Sequence, residues 1–579
     1  MKLIPSPQKA EISDGFLNKK SVKLITDVSD ERLLCAINKL PLSADGVALE
    51  IMIQGNETEA YELTVEQDRI LILAKSPAGA FYAIQTLRQL FNEKNVPCCY
   101  IEDEPDFKYR GFYHDITRGK VPKIETIKKL IDDMAYYKLN SLQLYVEHTF
   151  EFEEYKDSLK RTGYLSIEEI RELDRYCQMN FIEFIPSLAT FGHLYELLQK
   201  EKYKHLREVE TFNEWEFFWE NRMVHHTIDP TREESFELIK SLLDQYMANF
   251  TSDKFNICGD ETFDLKTGKH KDEDTGKLYI EFVTKIIRHL KSKGKKVMMW
   301  ADILLNHPEQ IEKLPEGVEL LNWFYAENPE ENSFKTIRES GRPQIVCPGT
   351  GSWIRLCEDY DTEIKNISQM AELGHKYGAK GVLNTNWGDL GNPCSIELAM
   401  FGLALGAEKS WNVKTVIDDE YIGRVNALLY ESEKGCDYIK RLSRVCGKIS
   451  WNVFAKSYAN ALCNELIYGI GPELPSENDI VTAIEECVSI MNDVNADDSI
   501  KSRYKEQIML ATEGALVMAE LFAGQIGHRT ERITDTHKWV QKYCESWRAD
   551  NKESELREIE GAFLLLEEKY QSGGFIPSL

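Results

Sequence analysis

A chain of 579 residues is too long for one ordinary hydrophobic core, which predicts about two to four domains. Hydrophobic residues make up 42% and charged residues 29%, the mix of a soluble globular protein, and no apolar stretch reaches the roughly 18 residues that a membrane span needs. The net charge of −26 argues against nucleic acid and anionic membranes as partners and is otherwise read as solubility.

The opening Met1-Lys2-Leu3-Ile4-Pro5-Ser6-Pro7 has no long apolar core behind its charge. No secretory signal peptide is expected, and the expected location is cytoplasmic. The 13 cysteines are scattered. Cys98-Cys99 are adjacent, and no pair stands at zinc-ligand spacing, so buried thiols in a reducing compartment are expected.

Residues 1–105 read as a small α+β domain. Val47–Ile53 has a strand pattern. Ala60–Val65 and Arg69–Ala74 flank Glu66-Gln67-Asp68 as a hairpin would. Pro77-Ala78-Gly79 then opens a helix from Ala80 to Phe91, with Phe81, Ile84, Leu87, Leu90 and Phe91 at helical spacing. From 106 to 412 short apolar runs alternate with helical stretches. Eight strands are predicted: Tyr109–Ile116, Ser141–Glu147, Phe181–Leu188, Lys254–Gly259, Lys296–Trp300, Glu319–Trp323, Gln344–Cys347 and Lys380–Asn386. Helices are predicted between most of them, among them Ile124–Tyr137, Ile167–Met179, Glu233–Ala248 and Leu278–Ser292. Eight buried strands alternating with helices predict a closed parallel barrel. Residues 413–579 lose the strand pattern and read as a helical C-terminal domain, with Ile480–Val494 and Glu506–Gly524 amphipathic. The expected fold is α/β: a (β/α)8 TIM barrel with an N-terminal α+β domain and a C-terminal α-helical domain. A helical appendage that closing the barrel does not require predicts a homodimer.

In such a barrel, function sits at the carboxyl ends of the strands. The eight ends deliver, in order, Asp115 and Arg118; Glu147 and His148; His193; Asp260 and Glu261; Trp300 and Asp302; Trp323 and Tyr325; Trp353; and Trp387 and Asp389. Aromatic walls with carboxylates and a cation suit a sugar ring, whose C–H faces stack on indoles while its hydroxyls need polar partners. One tryptophan at a strand end serves packing as readily as ligand binding, and an Asp-Glu pair alone is common on surfaces. Four tryptophans at four ends are harder to assign to packing. The pair Asp260-Glu261 directly follows the apolar Phe255-Asn256-Ile257-Cys258, where two unpaired charges would be costly to bury. No phosphate-binding glycine loop, three-histidine metal triad or catalytic Ser or Cys elbow is found, so no cofactor and no metal is expected.

The stretch Phe255-Asn256-Ile257-Cys258-Gly259-Asp260-Glu261 resembles the Gly-Asp-Glu catalytic motif of glycoside hydrolase family 20. Asn256 stands where that family has histidine, and Cys258 replaces its first glycine. Arg110-Gly111 with Asp115-Ile116-Thr117-Arg118 is similar to the family's first barrel strand. Glu59–Leu63 followed by Gly79–Leu87 is similar to its N-terminal α+β domain. The resemblance covers residues 50 to 400, and the remainder resembles, less specifically, the helical C-terminal domain of a bacterial subgroup.

The resemblance implies an exo-acting β-N-acetylhexosaminidase. Such enzymes retain configuration without a protein nucleophile: the substrate's 2-acetamido oxygen attacks the anomeric carbon and gives an oxazolinium intermediate. By this likeness Glu261 is general acid and then general base, with its pKa expected to be raised. Asp260 orients the acetamido group and offsets the developing positive charge. Arg118 is implied to bind the ring hydroxyls at positions 3 and 4, Asp389 those at 4 and 6, and His193 to lie near the general acid. Trp300, Trp323 and Trp387 are implied to wall the sugar pocket. Glu147-His148 replaces the family's usual aspartate on strand two. The family tyrosine for the acetamido oxygen has no match at Gly351-Ser352-Trp353, and Tyr325 on strand six is the substitute. Asp302 is given no part in charge stabilisation. The alternatives are a family 20 enzyme of narrowed choice (β-GalNAc, a sulfated GlcNAc or a disaccharide unit), a carbohydrate-binding barrel without catalysis, and an unrelated barrel hydrolase.

Overall fold

The computed structural model describes residues 1–55, 58–210, 219, 222, 226–464, 474–528 and 531–574. The chain begins with a six-stranded sheet of β1 (Lys9–Phe16), β2 (Val22–Leu24), β3 (Val47–Ile53), β4 (Tyr61–Val65), β5 (Arg69–Ala74) and β6 (Pro97–Asp103), in the order β1-β6-β4-β5-β3-β2. β4 and β5 form the expected hairpin, antiparallel with Tyr61 opposite Ala74. Their alternating burial turns one face onto the helix Pro77–Leu90. That helix starts where its chemistry dictates: the Ser76 hydroxyl accepts the Gly79 N–H, and proline fills the first turn, where its missing N–H costs nothing. The sequence pattern did not reveal β1, β2 or β6. β1 is exposed along most of its length, so no hydrophobic alternation marks it.

Eight parallel strands then close a barrel: β7 (Tyr109–Asp115), β8 (Ser141–Val146), β9 (Glu183–Leu188), β10 (Lys254–Asn256), β11 (Lys296–Trp300), β12 (Glu319–Trp323), β13 (Gln344–Cys347) and β14 (Gly381–Asn386), with β14 pairing β7. β9 starts two residues later than its apolar run because Phe181 turns through φ +56°. β10 stops at Asn256, three residues short of the predicted end. There the Asn256 side chain captures the Cys258 N–H at 2.9 Å, and the chain turns left-handed at Cys258 and Gly259.

From Asp419 onward the described residues form helices and no strand, and the longer helices include Gly435–Lys448, Trp451–Cys463, Glu477–Ala496, Ser502–Gln525, Thr536–Asp550 and Leu556–Ser572. Ser502–Gln525 is long and apolar enough to cross a membrane, but 72% of its most apolar window is buried inside the molecule, as in the core helix of a helical bundle.

Candidate active site

The catalytic candidates hang on a strained turn. Cys258, Gly259 and Glu261 have φ of +54°, +81° and +49°, a region costly for residues with side chains. The surroundings fix it. Asn256 accepts from Cys258 N–H and donates its amide to Gln143 Oε1 at 2.9 Å. Tyr279 donates to the Gly259 carbonyl at 2.8 Å, and Trp300 N–H donates to the Cys258 carbonyl at 3.1 Å. The asparagine that departs from the family motif therefore holds the turn's backbone. Gly192 on the neighbouring loop packs so close that a Cβ there would lie 2.7 Å from the Asp260 carbonyl oxygen.

This closeness brings His193 to both carboxylates. Its Nε2 lies 3.4 Å from Asp260 Oδ2 and 3.3 Å from Glu261 Oε2. Burial works against the imidazolium, but the Asp260 charge and hydrogen bonds to both carboxylates outweigh it and push the pKa up to about 10. Asp302, from the end of β11, accepts the Glu261 N–H at 3.0 Å. Burial, then the Asp260 charge, raises the Asp302 pKa to about 7. Asp302 is thus electrostatically tied to Asp260 and Glu261.

Across the pocket Arg118 meets Asp389 at 2.8 Å, Asp115 at 3.4 Å and Glu147 at 3.8 Å. Its guanidinium lies over the rings of Tyr145 and Trp387, 5.0 and 5.1 Å from their centroids, which holds the fork in one plane. Asp115 accepts N–H groups of Thr117, Arg118 and Gly388 and so ties the loop after β7 to the loop after β14. Glu147 accepts the Tyr145 hydroxyl at 2.9 Å. Burial raises its pKa, against the pull of Arg118 and His193.

The aromatic residues form two groups. Trp300 and Trp387 pack with Tyr113 at the floor, 5.3 and 5.1 Å from its ring, and Trp300 is almost wholly buried. Trp323 stacks on Tyr325 at 5.1 Å, and Trp353 packs on Tyr325 at 5.0 Å. The Trp387 indole N–H donates to the Tyr325 hydroxyl at 2.7 Å and joins the groups. His148 does not join them. It is buried against Tyr155, with neither ring nitrogen hydrogen-bonded among the described residues, and burial drives its pKa far down.

Tyr113 and Tyr145 are not among the strand-end residues that the sequence offers, and Asp115 and Asp302 stand there without an assigned role. The two tyrosines occupy inward positions of barrel strands, where an aromatic residue reads as core. Asp115 was legible as a strand end, but its role as a staple depends on an amide 273 residues away. Among the described residues, two groups have the donor set for a metal ion: His193, Asp260 and Glu261, and Glu208, Asp229 and His270. In the second, Glu208 already binds His270 through its backbone N–H at 2.8 Å and its Nδ1 at 2.7 Å.

Comparison with known proteins identifies the family and the fold. The profile "Glycosyl hydrolase family 20, catalytic domain" matches residues 107–390, and "Glycosyl hydrolase family 20, domain 2" matches residues 1–104. A β-hexosaminidase of Porphyromonas gingivalis is 26% identical over 52% of this chain and 45% of its own length. Hexosaminidase D of Bos taurus is 25% identical over 36% of this chain and 61% of its own. The match thus spans less than two thirds of either relative. Among solved structures, a chitobiase of Flavobacterium johnsoniae superposes with a TM-score of 0.60 at 18% identity, covering 97% of this chain and 99% of its own. A β-N-acetylhexosaminidase of Bacteroides fragilis gives 0.58 at 22%, covering 73% and 94%. These likenesses establish the fold. The two profiles meet at the junction of sheet and barrel and take in all eight strand ends. The chain belongs to glycoside hydrolase family 20.

Proposed function

We propose that the chain is an exo-acting β-N-acetylhexosaminidase that releases terminal, non-reducing β-linked GlcNAc and/or GalNAc from glycans or glycoconjugates. One observation carries the reading. Asp260 and Glu261 leave one turn together and share His193, while the other carboxylates of the pocket are engaged: Asp115 by loop amides, Glu147 by Tyr145, Asp389 by Arg118 and Asp302 by the Glu261 N–H. A conventional retaining enzyme needs a nucleophilic carboxylate about 5 Å across from its acid. Here the nucleophile is the substrate's own acetamido oxygen.

In this mechanism Asp260 accepts the acetamido N–H and turns the carbonyl oxygen toward the anomeric carbon. As the glycosidic bond breaks, Glu261 gives its proton to the departing oxygen, and Asp260 faces the oxazolinium cation. Glu261 then takes a proton from water, which opens the ring with net retention. Tyr325 suits the acetamido oxygen: its hydroxyl oxygen accepts from Trp387, which leaves its O–H to donate. Arg118 and Asp389 suit the hydroxyls at positions 3, 4 and 6.

The test compares aryl β-GlcNAc and aryl β-GalNAc with the aryl β-glucoside, which lacks the acetamido group. Turnover of the acetamido sugars with little of the glucoside is expected, as is inhibition by a thiazoline mimic of the bicyclic intermediate. Equal turnover of the glucoside, or a trapped glycosyl ester on any Asp or Glu, would overturn it. Activity on one epimer alone would select an enzyme of narrowed choice, and no turnover of any glycoside would select the binding barrel. A cytoplasmic setting, also proposed, is supported by thirteen free cysteines, eleven of them buried. The homodimer is carried as a proposal, although the helical unit turns apolar surface onto the barrel loops through Trp451, Tyr543 and Trp547. Light scattering that reports only 66.9 kDa over a wide concentration range would refute it.

A further inference from the structure

The loops after the first and last barrel strands carry Arg118 and Asp389, and both loops are held by the helical unit. Residues 119–123 run antiparallel to residues 550–555. Glu555 N–H donates to the Gly119 carbonyl at 3.2 Å, Lys552 N–H to the Val121 carbonyl at 2.9 Å, and Lys123 N–H to the Asp550 carbonyl at 2.9 Å. The Ser554 hydroxyl accepts the Val121 N–H at 3.1 Å, and Pro122 and Asn551 form a bridge. The loop after β14 is held in the same way. The Trp451 indole N–H donates to the Leu390 carbonyl at 2.8 Å, and the Tyr543 hydroxyl to the Pro393 carbonyl at 3.0 Å. Leu390 and Asn392 have φ of +54° and +51°, conformations that persist only where the surroundings impose them.

The two loops also touch. Gly119, at φ +111°, packs so tightly that a Cβ would lie 2.6 Å from the Gly391 carbonyl oxygen. Lys120 Nζ donates to the Cys394 carbonyl at 2.7 Å, with the Trp547 ring 4.7 Å away. Beneath them Arg222 donates from Nη1 to the Thr117 carbonyl at 3.1 Å and pairs through Nη2 with the Glu555 carboxylate. Arg222 is 3% and Glu555 4% exposed. A carboxylate of the helical unit thus fixes the guanidinium that holds the carbonyl next to Arg118.

We propose that the helical unit is a positioning part of the sugar site: residues 550–555, with Glu555 acting through Arg222 and Thr117, set Arg118 in its place against Asp389. The proposal rests on the reading of that pair as ligands of the ring hydroxyls. Glu555 itself meets no substrate and is a positioning residue. A shift of Arg118 weakens grip on the ring and leaves proton transfer at Glu261 intact. GlcNAc and GalNAc differ at the hydroxyl on position 4, which this pair reads, so preference between them moves as well.

The experiment uses the full chain with Glu555→Ala, Glu555→Gln and Tyr543→Phe, and Arg118→Lys as reference. Glu555→Ala is expected to raise KM about ten-fold, the scale of one lost charge-assisted contact. In the same variant kcat stays within about three-fold, the pattern of lost uniform binding. The kcat/KM ratio between the aryl epimers shifts, the pH profile does not, and Glu555→Gln restores part of the loss. Tyr543→Phe keeps the ring, removes one hydrogen bond and is expected to raise KM about three-fold. A purely structural role would lower the active fraction and leave both KM and the epimer ratio unchanged, and that result overturns the proposal. Should Glu555→Ala fail to fold, Glu555→Gln decides the matter: it keeps the volume and removes the charge that faces Arg222, and an unchanged KM and epimer ratio in it overturn the proposal. If Arg118→Lys raises KM while the other variants do not, only this proposal fails. If Arg118→Lys changes neither KM nor the epimer ratio, the reading of the sugar site fails and takes the proposal with it.

Discussion

Asp260 and Glu261 are adjacent in sequence, but their surroundings divide the work between them. His193 lies within 3.4 Å of both, but the Asp260 side chain is 11% exposed and the Glu261 side chain 28%. Glu261→Gln keeps shape and removes the proton donor. Turnover of an unactivated disaccharide is expected to fall about 10²–10⁴-fold, the usual worth of general acid catalysis. An activated aryl substrate should lose less, and near wild-type rates on the disaccharide would sink the assignment. His193 gives a pH prediction. Its pKa rises from the ordinary 6.5 to about 10 on folding, so its contribution to stability is complete below about pH 6.5 and fades as pH climbs through about 10. The melting temperature of the wild type should therefore decline across that window, and His193→Asn should lose this slope. Equal slopes in both proteins would place the imidazole's charge elsewhere. Asp302 runs the same way for the opposite reason. Burial and the Asp260 charge raise its pKa from 3.8 to about 7, so keeping it unprotonated costs stability increasingly as pH rises from about 4 to 7.

At the scale of elements, much of the barrel was legible because each strand is a short apolar run between helical stretches, and strand ends show where chemistry gathers. The Asp260-Glu261 pair, Arg118 and Asp389 were read in this way. Side-chain direction was not legible. Glu147 and His148 both end one strand, but only Glu147 faces Arg118, while His148 turns to Tyr155. The support of the catalytic turn was also hidden, because it depends on close contact between separate loops. Gly192→Ala tests that support. Its Cβ would press on the Asp260 carbonyl oxygen and displace the carboxylates by a fraction of an ångström. Misplacement on the ångström scale costs about 10²-fold, so a marked fall in kcat on aryl β-GlcNAc is expected. Gly423→Ala, in a helix with open space around the new methyl, should leave kcat unchanged. Equal behaviour of the two variants would show that the loop contact does not place the pair.

For the whole molecule, the question is whether sheet and barrel fold as separate units. Asp103, at the end of β6, is buried and receives four donors: the Gln8 N–H at 3.0 Å, the Tyr61 hydroxyl at 2.6 Å, the Trp411 indole at 2.8 Å and Lys138 Nζ at 3.0 Å. Tyr61 belongs to the sheet, Lys138 precedes β8 of the barrel, and Trp411 closes the last barrel helix. Lys138 is 1% exposed and lies over the Trp411 ring at 4.4 Å. Arg110 of β7 reaches back to Glu59 at 2.6 Å beside the same indole. Sequence patterning does not find this knot, because its members stand 35 to 308 residues apart and each alone reads as an ordinary charge or an ordinary core aromatic. Removing one partner strands the other in a dry interior, which costs about 3–5 kcal/mol for a buried pair. Asp103→Ala should therefore lower the melting temperature by several degrees, and sheet and barrel should still lose structure together, because each supplies part of the other's interior. Calorimetry checks both points. A separate low-temperature transition for the sheet, with barrel activity retained above it, would show that the knot joins two independently stable units.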